Sequence, residues 1–473
     1  MKQLTPGDAF MLYTETPGSP NHIGSLGIFD PSTAPGGSLS FEQLLEYYAE
    51  RIHLGKSFRR RLVRVPMDLD DPWWVEDSSF DLEYHLRNTA LPAPGDWNQL
   101  CTLVGRLHSR PLDLSRPPWE AWLIEGLNAI PGVPSGSIGI LIRVHHTAID
   151  GVGGIELLSA LLQLNPDDAP PDVPDTWEPE RVPSPWELLG RATLNNAQKP
   201  WRLTRAVAKA LPAAARLPAR IRSQEIKVPS LTVPTTRFNA KVSPHRSFDA
   251  ATFALADLKA IKSAVPGATV NDAVMTVCAG ALRIYLDKLG ELPEASLAAV
   301  VPMSLRTQDE AGNEGNRVAQ FFCSLHTDIA DPLQRLAAVA ASTKEAKGSQ
   351  QALGAHSLQQ MSSVLPGALF GMALRANAEI GSRTGTTGFM NTQISNIPGP
   401  PFPLYCAGAK LLSMYGLGPV ITGAGLIHVI MSYCDVVTFS FTTDRDIVPD
   451  PANYAEALRI SFDELLEATA SPA

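Results

Sequence analysis

The stretch His145-His146-Thr147-Ala148-Ile149-Asp150-Gly151 holds the residues best suited to chemistry in this chain. Two imidazoles stand together, a carboxylate follows four residues after the second, and a glycine closes the group. At average composition, these fixed residues at this spacing arise by chance in about one chain of this length in a thousand. The chemistry they suit is acyl transfer. An imidazole at a strand end can take a proton from a hydroxyl or amine as it attacks a thioester carbonyl, then hand it to the leaving thiolate. An unperturbed imidazole titrates near pH ~6.5, so it is mostly neutral and able to accept a proton at cytosolic pH. His146 is the expected general base, and His145 the neighbour that packs or hydrogen-bonds locally. No covalent acyl-enzyme is required, and no G-x-S-x-G elbow of the serine hydrolases is present.

The other candidates support that imidazole. A buried carboxylate needs a partner. Asp150 either orients His146 directly or pairs with a distant arginine and holds the loop. The second role is favoured, with Arg306 as the candidate. Gly151 lets the backbone turn tightly into a following helix. Asn271 places a side-chain amide in a helix first turn, where free N–H groups and the dipole favour a tetrahedral oxyanion. The bland alternative is an ordinary helix-start asparagine.

These residues need elements to hold them. Ile138, Ile140, Ile142 and Val144 alternate with Gly139, Leu141 and Arg143, which predicts a strand over 137–144 buried on both faces. By parity His146 falls on the isoleucine side and His145 on the other, if strand geometry continues that far. Ile155, Leu158, Leu161 and Leu162 then form a helical stripe, which puts Asp150 near a helix N-terminus. Helices are also predicted over 39–51 from Ser40, over 98–110, from Thr269-Val270-Asn271-Asp272 with a capping-box-like pair, from Asp331-Pro332 to about Lys347, and over 454–469. Strands are predicted over 297–303, 318–325, 387–397, 426–434 and 436–443.

Length and composition bound the rest. The chain has 473 residues, which favours two domains, and its 44% hydrophobic and 18% charged content is that of a globular enzyme. A net charge of −9 gives no reason to expect nucleic-acid binding. Five scattered cysteines argue against a disulfide framework or a zinc site and fit a reducing compartment. The N-terminus carries no apolar signal core, so a cytoplasmic protein is expected.

Domain one is expected over 1–165, a linker and connector over 166–234, and domain two over 235–473. Residues 166–185 hold seven prolines and six acids, a composition that forms no core. Residues 186–224 hold eight basic residues and one acid, Glu187, with Trp186 and Trp201 interleaved. That segment fits a helical connector lying over the surface, or an amphipathic contact with anionic lipid or a lipid droplet. From Thr384 to Cys434 the one charged residue is Lys410, but prolines and glycines break every candidate span. Buried strands and turns are expected there; an uncharged surface touching lipid is the alternative.

At this point the residues resemble the bacterial wax ester synthase/acyl-CoA:diacylglycerol acyltransferase family, nearly end to end. Leu4-Thr5-Pro6-Gly7-Asp8-Ala9-Phe10 looks like its opening segment, and Arg116-Pro117-Pro118-Trp119-Glu120 its P-L-W region, with Pro118 where leucine is usual. His145–Gly151 matches the catalytic motif in full. Val270–Val274 looks like the N-D motif. Val301-Pro302-Met303-Ser304-Leu305-Arg306 with Gly315-Asn316, and Ser395-Asn396-Ile397-Pro398-Gly399-Pro400, complete the set. His326, where proline is common, and Cys434-Asp435, where a glycine is common, depart from the pattern.

The resemblance implies an α/β fold of mixed sheets: two chloramphenicol acetyltransferase-like domains with the active site in a channel between them. It carries over His146 as base, Asp150 as structural acid and Asn271 as a polar group of the site, with Asp272, Ser304, Arg306, Ser395 and Asn396 as substrate-binding candidates. It implies no cofactor; acyl-CoA is a substrate, and diacylglycerol or a fatty alcohol the acceptor. It also admits a peripheral position at the inner membrane face or on lipid droplets. Two rivals are a condensation-type acyltransferase fed by a carrier protein and a non-catalytic lipid-droplet-binding protein.

Overall fold

The computed structural model describes residues 1–148, 160–170, 172–197, 233–304, 318–353 and 390–470. Among them are fifteen strands in three sheets. A small sheet joins β1 (Lys2–Gln3), β4 (Trp73–Glu76) and β3 (Arg60–Val63).

The first large sheet takes β2 (His22–Asp30), β5 (Leu86–Ala90), β6 (Trp119–Leu127), β7 (Ser137–His145), β12 (Tyr405–Cys406) and β13 (Ala409–Leu417). Their order is β12-β13-β2-β7-β6-β5, parallel between β5 and β6 and antiparallel elsewhere. The second takes β8 (Arg246–Ala254), β9 (Ala298–Ser304), β10 (Val318–Ser324), β11 (Thr392–Pro398), β14 (Leu426–Tyr433) and β15 (Val436–Asp444). Their order is β10-β9-β11-β14-β15-β8, and β11 runs parallel to both neighbours. Both large sheets are therefore mixed, as the resemblance implies. The first sheet is completed by strands from the far end of the chain: β13 pairs with β2 from Lys410↔Asp30 to Leu417↔Gly24.

Alternation along β7 divides its side chains between two cores. Ile138, Ile140 and Val144 belong to a core that continues to Val274 and Ile430 of the second half. Leu141 belongs to the other, with Leu26, Leu100, Val104 and the β8 residues Phe248 and Ala250. The helix Trp97–His108 therefore packs on a strand of the second half. Gly105 permits that approach: a Cβ there would lie 2.9 Å from the Arg246 main-chain oxygen. Buried Arg246 reinforces the seam, donating to the carbonyls of Gly18 and Ser243 and lying 3.4 Å from Asp444.

Helix starts follow local chemistry. Ser40 and Gln43 form a capping box ahead of Phe41–Ala49, and Thr269 and Asp272 one ahead of Val270–Lys288. Pro332–Leu353 runs past its predicted end, through Gly348, and Pro451–Ala470 begins three residues before its predicted start, with Pro451 at the first helical position, where a missing N–H leaves no bond unmade. Of the basic connector, residues 185–197 are helical; the rest of 186–224 lies outside the described residues, apart from those shared positions. The weakly charged 384–434 stretch folds, from residue 390 on, into β11 to β14 and their turns, largely buried.

Candidate active site

β7 delivers the two histidines from between β2 and β6. It ends at His145; His146 opens a single 3-10 turn, His146–Ala148. The strand therefore stops one residue short of the position where parity would have fixed the His146 side chain. Instead the His146 N–H donates to the Asn21 carbonyl, 2.9 Å away. Asn21 is held by its own amide, which donates to Met11 O at 2.6 Å and Thr14 Oγ1 at 2.9 Å. The opening helix Pro6–Thr14 thereby fixes the turn.

The rings have different surroundings. His145 is fully buried. Its Nδ1 lies 2.8 Å from Thr147 Oγ1 and accepts the Thr147 N–H at 3.2 Å. That leaves Nε2 to donate to Glu15 Oε2, 3.3 Å away. His146 is partly exposed. Burial pushes its imidazole below the usual range, a hydrogen bond with its own main-chain carbonyl works upward, and His145 pushes down again. The net shift favours the neutral ring.

Beneath His145 lies its cross-strand partner His22, whose Nε2 is 2.7 Å from the His108 carbonyl. Burial depresses both His22 and His108, the latter to about 3, and Arg143 adds to each shift. Arg143 is itself buried and paired with Glu120 at 2.6 Å. Glu15, Asn21, His22 and His108 carry no spacing signal linking them to the motif. Sheet register brings His22 there, and two helix ends deliver Glu15 and His108.

The second half contributes its own cluster. Asn271 stands in the first turn of Val270–Lys288 and accepts a hydrogen bond from Asn396 Nδ2 at 3.2 Å. Among the described residues its own Nδ2 meets a weak acceptor, Met275 Sδ, at 3.5 Å. Asp272 is buried, and both its oxygens are occupied inside the protein. Oδ2 accepts the N–H and the hydroxyl of Thr269, each at 2.8 Å, and Oδ1 accepts the Thr343 hydroxyl at 2.6 Å. Ser395 and Asn396 sit half-buried on β11, and Ser304 ends β9. Asp150, Gly151 and Arg306 lie outside the described residues.

Two clefts adjoin the histidine strand. A polar one of about 510 Å³, open to solvent, is lined by Thr147 and Ala148 together with Lys2, Asp8, Ser57 and Arg60. An apolar slot of about 370 Å³, including its mouth, runs over the sheet face of Ser25, Gly27, Ile140 and Ile142, under Tyr48 and Leu161.

Comparison with known proteins agrees with this architecture. Residues 4–274 match the wax ester synthase/diacylglycerol acyltransferase catalytic domain, and residues 314–466 the C-terminal domain of the same family. Rv1760, a Mycobacterium tuberculosis protein named as a diacylglycerol O-acyltransferase, is 34% identical over 472 residues, covering 99% of this chain and 90% of the relative. Rv3087 of the same organism, similarly named, is 32% identical and covers 100% of this chain and 98% of its own. Among solved structures, the wax ester synthase/diacylglycerol acyltransferase of Marinobacter aquaeolei VT8 superposes with a TM-score of 0.70 at 28% identity over 100% of both chains. The trichothecene 15-O-acetyltransferase TRI3 of Fusarium sporotrichioides shares the fold, with a TM-score of 0.60 at 12% identity over 98% of this chain and 94% of its own. The chain belongs to the wax ester synthase/diacylglycerol acyltransferase family and is an acyltransferase of that class.

Proposed function

We propose that this protein moves a long acyl chain from acyl-CoA to the hydroxyl of diacylglycerol or a fatty alcohol, with His146 as general base and no acyl-enzyme. The observation that carries the proposal is the His146 imidazole: partly exposed, biased toward its neutral form, and on a turn beside a polar cleft. Nδ1 is the ring nitrogen within covalent reach of the residue's own carbonyl, so we assign the hydrogen there and leave Nε2 as the proton acceptor. Nε2 takes the hydroxyl proton as the oxygen bonds to the thioester carbon. The C–S bond then breaks, and the imidazolium returns the proton to the thiolate. The products are an ester and free coenzyme A.

Asn271 is assigned to the oxyanion. Among the described residues its amide N–H groups meet a thioether, a weak acceptor that leaves them able to serve a developing negative charge. Asp272 acts at one remove, fixing the helix start on which Asn271 stands. Asp150 is assigned the loop-anchoring role, with the site lying in a channel between the two halves. Ser304, Arg306, Ser395 and Asn396 remain substrate-side candidates.

An acceptor dissolved in lipid calls for contact with a lipid surface. Met67, Trp186 and Leu194 are 81%, 82% and 69% exposed, which suits a peripheral position at the inner membrane face or on droplets. No helix among the described residues is long and apolar enough to cross a membrane.

The test is thiol release from palmitoyl-CoA with diacylglycerol, a long-chain alcohol, or neither. Acceptor-dependent release with ester formation is expected. No release with any diglyceride or long-chain alcohol sinks the proposal, and activity only with carrier-protein-bound acyl groups moves the protein to condensation-type chemistry.

A further inference from the structure

We infer that Asn396 is a positioning residue: its amide turns the Asn271 side chain so that the nitrogen, and not the oxygen, is presented to the developing oxyanion. This rests on the oxyanion assignment of Asn271 and deepens it by naming what orients the donor.

A primary amide keeps nearly the same shape after a half-turn about its last bond, but the half-turn exchanges an acceptor for two donors. Packing cannot tell the two orientations apart; a hydrogen bond can. An oxyanion is stabilised by the nitrogen and repelled by the oxygen. Asn271 therefore needs a neighbour that recognises its Oδ1. Within its own helix it meets Met275, one turn on, whose Sδ lies 3.5 Å from Nδ2. A thioether is a weak acceptor and holds the amide loosely. The discriminating contact comes from 125 positions along the chain, where Asn396 Nδ2 donates to Asn271 Oδ1 at 3.2 Å. After a half-turn of Asn271 two NH2 groups would face each other, and that bond would be lost.

Both ends of the contact are fixed independently. On the helix side, Asp272 accepts from Thr269 and Thr343 and so holds the turn that carries Asn271. On the sheet side, Ile394 belongs to the core shared with Val274 and Ile430. Two residues on, Asn396 shares that face of β11, and Ser395 takes the other. Register sets Asn396 beside Ile430. Gly399 pins the end of the strand against β14: its N–H donates to Ser432 Oγ at 3.1 Å, and a Cβ there would collide with the Ser432 carbonyl oxygen. The neighbours Ser395 and Asn396 thus separate. Ser395 stays among the substrate-side candidates, while Asn396 acts through Asn271.

The test is a double-substitution cycle on the full chain, with palmitoyl-CoA and either diacylglycerol or a long-chain alcohol. Asn396→Asp keeps the shape and removes the donor. The new carboxylate takes Asn271 Nδ2 and leaves Oδ1 to the site. Its kcat should fall by roughly 10²-fold, as in Asn271→Ala, with KM within about twofold of the parent and an unchanged melting temperature. Asn396→Ala frees the amide without reversing it, and should cost less than about tenfold. In the Asn271→Ala background, Asn396→Asp should cost no more than about a further twofold, because nothing remains to be turned.

A parental rate in Asn396→Asp overturns the inference. So does a larger loss in Asn396→Ala than in Asn396→Asp, which would mean that the residue only fills space. A full further loss in the Asn271→Ala background also overturns it, since Asn396 would then act on the substrate itself. A parental rate in Asn271→Ala rejects the oxyanion assignment, and the inference falls with it. Should Asn396→Asp fail to fold, the Asn396→Ala cycle decides: its loss must vanish when Asn271 is already alanine.

Discussion

The Nε2 atom of His145 lies 3.3 Å from the Glu15 carboxylate, across 130 positions of chain. Glu15 also accepts the Asn21 N–H at 3.3 Å, and Asn21 holds the His146 main chain. The first histidine is therefore an anchor, and the carboxylate that orients it comes from the end of the opening helix. Glu15→Ala should cost about 1–3 kcal/mol, the usual effect of leaving a buried group unsatisfied. It should lower kcat more than it raises KM, because the base is displaced while the substrate surfaces remain. Denaturant unfolding and steady-state kinetics measure both; full activity with lowered stability would limit Glu15 to a structural role.

His146→Ala should reduce turnover by ~10²–10⁴-fold, the range for loss of a general base. Stability should change little, since the ring is partly exposed and its main-chain bond to Asn21 survives the substitution. Thiol release and thermal unfolding are the measurements. A rate within a few-fold of the parent would remove His146 from the base role.

The depressed His146 imidazole sets a pH profile. In the free enzyme, kcat/KM should rise with pH through a midpoint below ~6.5 and then level, because protonation of Nε2 removes the acceptor. A midpoint above that value would mean that a different group, or a charged partner, controls the step.

Acid stability follows from histidines outside the reaction. His108 is depressed to about 3 and His428 to about 4, both by burial. Their folded values lie below the unfolded value of ~6.5, so the stability of keeping them neutral is complete above pH ~6.5 and is lost as pH falls toward the folded values. Melting temperature should therefore drop steadily from pH 6.5 to 4. Replacing His428 with glutamine should flatten part of that slope while lowering stability at pH 7, because Nε2 loses its 2.7 Å bond with Tyr454. A flat profile in the parent would contradict the assignment.

Neighbouring residues on one helix turn should separate cleanly. Asp272→Ala removes a cap and leaves the buried Thr343 hydroxyl short of a partner, at about 1–3 kcal/mol. Asn271→Ala should change stability by less than about 1 kcal/mol, yet slow the reaction by roughly 10²-fold if its amide serves the oxyanion. Equal rate losses with no stability difference would place both residues in one role.

Much of this protein follows from local sequence. The period-two run ending at His145, the Thr269–Asp272 box and the Asp331-Pro332 start were each legible, because strand alternation and helix capping involve residues within a turn or two of one another. The same locality made His145–Gly151 stand out as chemistry. What the sequence could not reveal is every relationship set by distant chain. Nothing in residues 405–417 says that they complete the first sheet, and nothing in Glu15 says that it will meet His145. Local spacing makes Asp272 a capping partner of Thr269, and only the fold adds the Thr343 hydroxyl to its other oxygen. Backbone pairing is nearly indifferent to residue identity, so register between far segments is decided by which faces can be buried together. Only the folded packing makes that choice.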